Sequence, residues 1–138
     1  MIKLITEANE IPKNFTGMVE WTNGNKFWYK EGKLHRENGH AKEYASGIKC
    51  WYKEGKLHRE NGPAIEYANG NKGWYKEGKL HRENGPAIEY ADGVKYWYLN
   101  DVQYSEQEFN AEIAKRKNTC NGKVVTIDGK QYKLTELT

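Results

Sequence analysis

Apolar positions in this chain come in bursts of four or five residues rich in aromatic and β-branched side chains, each ended by Gly, Asn or Pro. Such bursts predict short β-strands joined by tight turns. The bursts recur. Segments 24–46, 47–69 and 70–92 are three tandem copies of 23 residues, the first two matching at 18 of 23 positions and the last two at 20 of 23. A fourth copy opens at Gly93 as GVKYWYLND, and MVEWTN at 18–23 matches the unit tail AIEYAN at 64–69. The array therefore begins and ends in half units, as solenoids with atypical caps do.

Each unit reads as two strands. The first runs from Lys49 to Lys53 and is followed by Glu54-Gly55-Lys56, where glycine takes the positive φ of a hairpin turn. Leu57 to Gly62 is part strand extension and part loop, Ala64 to Tyr67 is the second strand, and Asn69-Gly70 is a hairpin signal into the next unit. Pro63 and Pro86 stand at the start of second strands, where a missing N–H is tolerated. Helical periodicity begins only after the repeats. Ser105 and Glu108 form a capping box, Phe109 and Ile113 share a face, and Lys115, Arg116 and Lys117 suit a helix C-terminus, so a helix is expected over 106–117. Beyond it, Asp128-Gly129 joins two alternating strands, and Ile2–Ile5 is a further strand. The expected fold is mainly β: an antiparallel meander of tandem 23-residue hairpins over 18–104, an N-terminal cap over 1–17, and a short helix plus hairpin over 105–138.

Alternation sorts the repeated columns by face. Trp28, Trp51, Trp74 and Trp97 form one column, expected as the structural ladder. Tyr29, Tyr52, Tyr75 and Tyr98 lie on the other face, together with the varied position Phe27, Cys50, Gly73 and Tyr96. A single-layer sheet leaves one aromatic face for a partner, and the Tyr column is the candidate.

Composition changes this picture in one respect. Only 37% of the chain is apolar and mean hydropathy is −1.02, values that on their own suggest disorder. The 5 Trp, 10 Tyr and 3 Phe argue for an aromatic core instead. Basic and acidic residues, 22 against 19, are interspersed, which does not fit a phosphate-gripping stripe. The opening run is too short for a signal peptide and no stretch has the length of a membrane span, so a soluble cytoplasmic protein is expected. Cys50 and Cys120 have neither metal-ligand spacing nor a disulfide framework.

His35, His58 and His81 recur at 23-residue steps beside Arg36, Arg59 and Arg82. Equivalent positions two strands apart lie about 9–10 Å from one another, so three histidines in a line cannot surround one ion. Copies of one loop also lack the asymmetry of a reaction centre. No enzyme, metal or cofactor is expected. The LHRENG segment reads as a corner in which Arg donates to unpaired carbonyls and His donates from one ring nitrogen, and alternatively as an edge presented to an acidic partner. His40, replacing the Pro of later units, is expected as an exposed edge residue.

The unit G-x-K-x-W-Y-K-E-G-K-L-H-R-E-N-G-P-A-I-E-Y-A-N resembles a variant of the MORN hairpin-repeat family, of the short WYxxGxxHRxxGPA type found in phages and giant viruses. The resemblance covers residues 18–134. It aligns the family glycines with Gly32, Gly55 and Gly78 and the aromatic pairs with Trp28-Tyr29, Trp51-Tyr52 and Trp74-Tyr75. The first-strand position, usually glycine in the family, is Phe27, Cys50 and Tyr96, with only Gly73 matching. The resemblance implies a scaffold or binding surface. The function expected is thus a non-enzymatic protein-binding array, an inhibitor of a bacterial defence protein or an antitoxin-like factor, acting in the host cytoplasm if phage-encoded. A protein partner is expected, a homodimer through open sheet edges is the other association considered, and binding of single-stranded nucleic acid or an anionic membrane surface is the alternative class.

Overall fold

In a computed structural model, residues 3–6, 11–120 and 124–133 are described, with side chains for 11–117 and 126–133. They fall in two compact units, Met1–Gln103 and Tyr104–Thr138.

The first unit is built on one sheet. Its strands are β1 (Lys3–Thr6), β2 (Gly17–Trp21), β3 (Lys26–Lys30), β4 (Lys33–Leu34), β5 (Lys42–Glu43), β6 (Lys49–Cys50), β9 (Ile65–Glu66), β10 (Lys72–Gly73), β13 (Ile88–Glu89), β14 (Lys95–Leu99) and β15 (Val102–Tyr104). They follow the order β1-β2-β3-β5-β6-β9-β10-β13-β14-β15, with β4 attached to β3. From β2 through β14 the paired strands are antiparallel, as the hairpin reading requires, whereas β1 lies parallel to β2. The strand expected at Ile2–Ile5 is thus displaced by one residue, to Lys3–Thr6.

In the second and third units the first strand is not continuous. After β6 and β10 the chain leaves the main sheet and forms two separate small hairpins: β7 (Tyr52–Lys53) with β8 (Lys56–Leu57), and β11 (Tyr75–Lys76) with β12 (Lys79–Leu80). The tryptophan is where the chain changes partner. Trp51 N–H donates to the Ala64 carbonyl at 2.7 Å, and the Trp51 carbonyl accepts from His58 N–H at 3.0 Å. Trp28 and Trp74 repeat both bonds, with Ala41 and His35, and with Ala87 and His81. Ala41, Ala64 and Ala87 are completely buried. Each also donates to the next unit, Ala41 to Cys50, Ala64 to Gly73 and Ala87 to Tyr96. The alanine column is the crossing point of the architecture, and sequence reasoning passed over it.

Two turn types alternate. At Glu54-Gly55 both residues are left-handed, with φ 50° and 83°, which defines the type I′ hairpin turn; Glu31-Gly32 and Glu77-Gly78 match it. The fourth unit makes the same turn without glycine, at Asn100-Asp101. The Asn69-Gly70 turn is wider. Tyr67 N–H reaches the Asn71 carbonyl at 2.9 Å and Gly70 N–H reaches the Tyr67 carbonyl at 3.0 Å, a three-residue loop with glycine at φ 94°.

In the second unit, helix α1 spans Glu106–Cys120, three residues beyond the expected end, since no glycine or proline precedes Gly122. The capping box forms as read: Ser105 Oγ accepts from Glu108 N–H at 3.1 Å, and Glu108 Oε2 accepts from Ser105 N–H at 3.0 Å. Strands β16 (Val124–Ile127) and β17 (Lys130–Lys133) form the expected hairpin around Asp128-Gly129.

Candidate functional site

The three histidines do not converge. Each joins its own unit to the next. His35 Nδ1 accepts from Glu54 N–H, His58 Nδ1 from Glu77 N–H and His81 Nδ1 from Asn100 N–H, each at 3.0 Å. The neighbouring turn amide is held as well, Gly55 N–H by the Leu34 carbonyl, Gly78 by Leu57 and Asp101 by Leu80, at 2.8–2.9 Å. Both inward amides of the turns at 54–55, 77–78 and 100–101 are therefore satisfied by the preceding unit. The first turn has no preceding histidine. There Thr16 Oγ1 takes Glu31 N–H at 2.9 Å and the Phe15 carbonyl takes Gly32 N–H at 2.8 Å, so Phe15-Thr16 imitates a Leu-His pair.

With Nδ1 accepting, the imidazole proton sits on Nε2 and points outward. His35 and His58 donate it to Glu37 and Glu60 at 2.7 Å; the third pair, His81 and Glu83, is wider at 3.9 Å. The hydrogen bond from the histidine is the main cause that holds the Glu37 and Glu60 carboxyls below the usual carboxylate range. The His35, His58 and His81 side chains are only 7, 8 and 10% exposed, so the rings serve the junctions and the carboxylates face solvent.

The arginines are engaged in the same corner. The guanidinium carbons of Arg36, Arg59 and Arg82 lie 4.1, 3.8 and 3.9 Å from the ring centres of Trp28, Trp51 and Trp74. Their Nη1 atoms donate to the carbonyls of His40, Pro63 and Pro86 at 3.0–3.2 Å. Arg59 and Arg82 also reach Glu66 and Glu89. A Cβ on Gly62 would stand 3.0 Å from Arg59 Cζ, which explains the glycine that closes the loop. His40 is not an exposed edge residue. Its ring lies 5.6 Å from Trp28 and 5.5 Å from Trp51, edge to face with both, and Nε2 pairs with Glu43 at 2.7 Å. An imidazole fills the space between two tryptophans and is held there.

The sheet register gives the two faces distinct chemistry. On the Trp face, Glu20, Lys26, Glu43, Lys49, Glu66, Lys72, Glu89 and Lys95 stand opposite one another in turn, an alternating charge row across eight strands. On the other face the row is Val19, Phe27, Lys42, Cys50, Ile65, Gly73, Ile88 and Tyr96. Tyr29, Tyr52 and Tyr75 are half-buried on this face, and burial is the main cause that pushes their phenols above the ordinary range. Tyr98 is likewise half-buried, its hydroxyl bonded to Gln103 at 3.3 Å. Lys42 lays its ammonium over Phe27, Tyr44 and Tyr52. The exposed rings of this sheet face are instead Tyr67, Tyr90 and Tyr96, with Val94 beside them.

Beside the histidine corners runs a row of three clefts. The first, of about 400 Å³, lies along 28–30 and 35–38; the second, of about 620 Å³, lies between 35–39 and 58–61 over 51–53. The third, also of about 620 Å³, lies between 59–62 and 81–84 over 74–76. Among the described residues no group of three or more His, Cys, Asp or Glu is placed to hold a metal ion, and no helix is long and apolar enough to cross a membrane. Comparison with protein-family models, with curated proteins and with solved structures found no match to this chain.

Proposed function

We propose that this chain is a non-enzymatic protein-binding array whose docking surface is the sheet face that carries Tyr67, Tyr90 and Tyr96. The observation behind this reading is where the units differ. Five columns vary among the three full copies: 25/48/71, 27/50/73, 40/63/86, 42/65/88 and 46/69/92. Two of the five reach solvent on that one face: Lys42, Ile65 and Ile88, and Asn25, Ile48 and Asn71, opposite Trp21, Tyr44 and Tyr67 at the hairpin ends; a third, Phe27, Cys50 and Gly73, varies beneath the same face, with Cys50 and Gly73 buried. Folding constrains every unit alike, so it favours identical columns. A partner with an irregular surface favours different side chains in each unit. Exposed tyrosines suit such a surface, because they combine apolar area with a polar tip at low entropic cost.

The resemblance to MORN-like repeats of phages and giant viruses supports an inhibitor or antitoxin-like role against a bacterial protein, and that role rests on analogy of repeat type. The test is affinity capture from bacterial lysate with the wild type and with Tyr67→Glu/Tyr90→Glu, both rings being exposed. A stoichiometric protein held by the wild type and lost by the double variant is expected. Capture of nothing, or equal capture by both, refutes the reading.

A further inference from the structure

The invariant side of each unit carries the second binding property. The three clefts are lined by the same residues in successive copies, and each holds an excess of one positive charge. Arg36, Lys53 and Arg59 face Glu37 and Glu60 in the second, Arg59, Lys76 and Arg82 face Glu60 and Glu83 in the third, and Lys30 and Arg36 face Glu37 in the first. The roles of the arginines and glutamates are known from the corner itself. The arginines stack on tryptophan and bind carbonyls, and Glu37 and Glu60 accept from histidine. No such junction role accounts for Lys30, Lys53 and Lys76, yet they recur in every unit as exposed ammonium groups beside the clefts. Among the described residues, Lys30 pairs with Glu37 at 3.8 Å, while Lys53 and Lys76 act on Glu37 and Glu60 at longer range.

Spacing selects the shape of the ligand. Successive units are two strands apart, about 9.6 Å at about 4.8 Å per strand. A β-strand returns a side chain to the same side every second residue, about 6.7 Å, and cannot match that step. An α-helix returns after two turns, about 10.8 Å, and falls out of register along the row. Polyproline II repeats every third residue with a rise of about 3.1 Å, or about 9.3 Å per turn. It also docks on aromatic-lined grooves, and in these three clefts the walls are the arginine-capped rings of Trp28, Trp51 and Trp74.

We propose that the row of clefts binds an extended acidic peptide segment in the polyproline II conformation, with a carboxylate at every third residue directed to Lys30, Lys53 and Lys76. Tyr67, Tyr90 and Tyr96 line none of the three clefts, so this site does not depend on them.

The experiment titrates the full chain with the peptide (Glu-Pro-Pro)₃, read by tryptophan fluorescence of the protein and by anisotropy of the labelled peptide. The comparison ligands are (Gln-Pro-Pro)₃, (Glu-Pro)₃ with the shorter spacing, and a single-stranded oligonucleotide. Saturable binding of (Glu-Pro-Pro)₃ is expected, weakening as salt rises. It should be at least tenfold tighter than binding of either control peptide, and at least tenfold weaker in Lys53→Glu/Lys76→Glu. Both lysines are exposed, and unchanged circular dichroism of that variant confirms its fold. Tyr67→Glu/Tyr90→Glu should bind the peptide as the wild type does, so failure of the tyrosine-face reading leaves this one standing. Equal affinity for the two glutamate spacings, tighter binding of the oligonucleotide, or no saturation overturns the proposal.

Discussion

At the scale of single residues, the array carries a conformational cost at its turns and a chemical marker on its tyrosine face. Glu31, Glu54 and Glu77 hold φ near 50°, a left-handed conformation that non-glycine L-residues adopt reluctantly. Asn is the residue that type I′ turns prefer at this position. Glu54→Asn is expected to raise stability by about 0.5–1 kcal/mol in urea denaturation; a loss of stability would count against the I′ geometry. The marker is the raised ionisation range of Tyr29, Tyr52 and Tyr75. A group whose folded-state value is raised contributes stability that is complete below its unfolded value, about 10 for tyrosine, and lost as pH rises through the folded value. Titration followed by tyrosinate absorbance should therefore show these three rings ionising above the ordinary tyrosine value, together with loss of structure. One smooth step at the ordinary value would show that the three rings are not buried.

At the scale of elements, the repeat period, the hairpins and the capping box were legible because each has a local signature. The partner exchange at tryptophan was not, because nothing in Lys-Cys-Trp-Tyr-Lys distinguishes one strand from two. Its signal was the invariant alanine of each unit, which reads as filler until its neighbours are known. Ala64 lies completely buried where Trp51 of its own unit and Gly73 of the next both bond to it. Ala64→Leu is expected to cost about 1–3 kcal/mol or more by forcing these strands apart. A change below 0.5 kcal/mol in thermal or urea unfolding would show room that the packing denies. The alternating Glu and Lys row was hidden for a related reason. One Lys and one Glu per unit look like a solvated surface, and only strand register sets them opposite each other. His40 was misread as an edge residue because its two tryptophan neighbours, Trp28 and Trp51, are twelve and eleven residues away.

At the scale of the whole array, the junction bonds run in one direction. The type I′ turns at 54–55, 77–78 and 100–101 are each held by the unit before, through a histidine nitrogen and a leucine carbonyl, and the turn at 31–32 is held by Thr16 and Phe15. An array of this kind gains or loses an internal unit without leaving a turn amide unpaired, because each copy offers the acceptors that the next requires. Removing the N-terminal acceptor is different. Thr16→Val keeps the shape and leaves Glu31 N–H to water, at a cost of about 0.5–1.5 kcal/mol. Hydrogen exchange should then quicken at Glu31 and its hairpin, while the Glu77 and Asn100 amides, held by His58 and His81, keep their protection. A second copy of 47–69 inserted after Asn69 should by contrast give a folded protein with a melting temperature no lower than that of the parent. Uniform loss of protection in Thr16→Val, or an inserted array that does not fold, would show that stability is not passed from unit to neighbouring unit in this way.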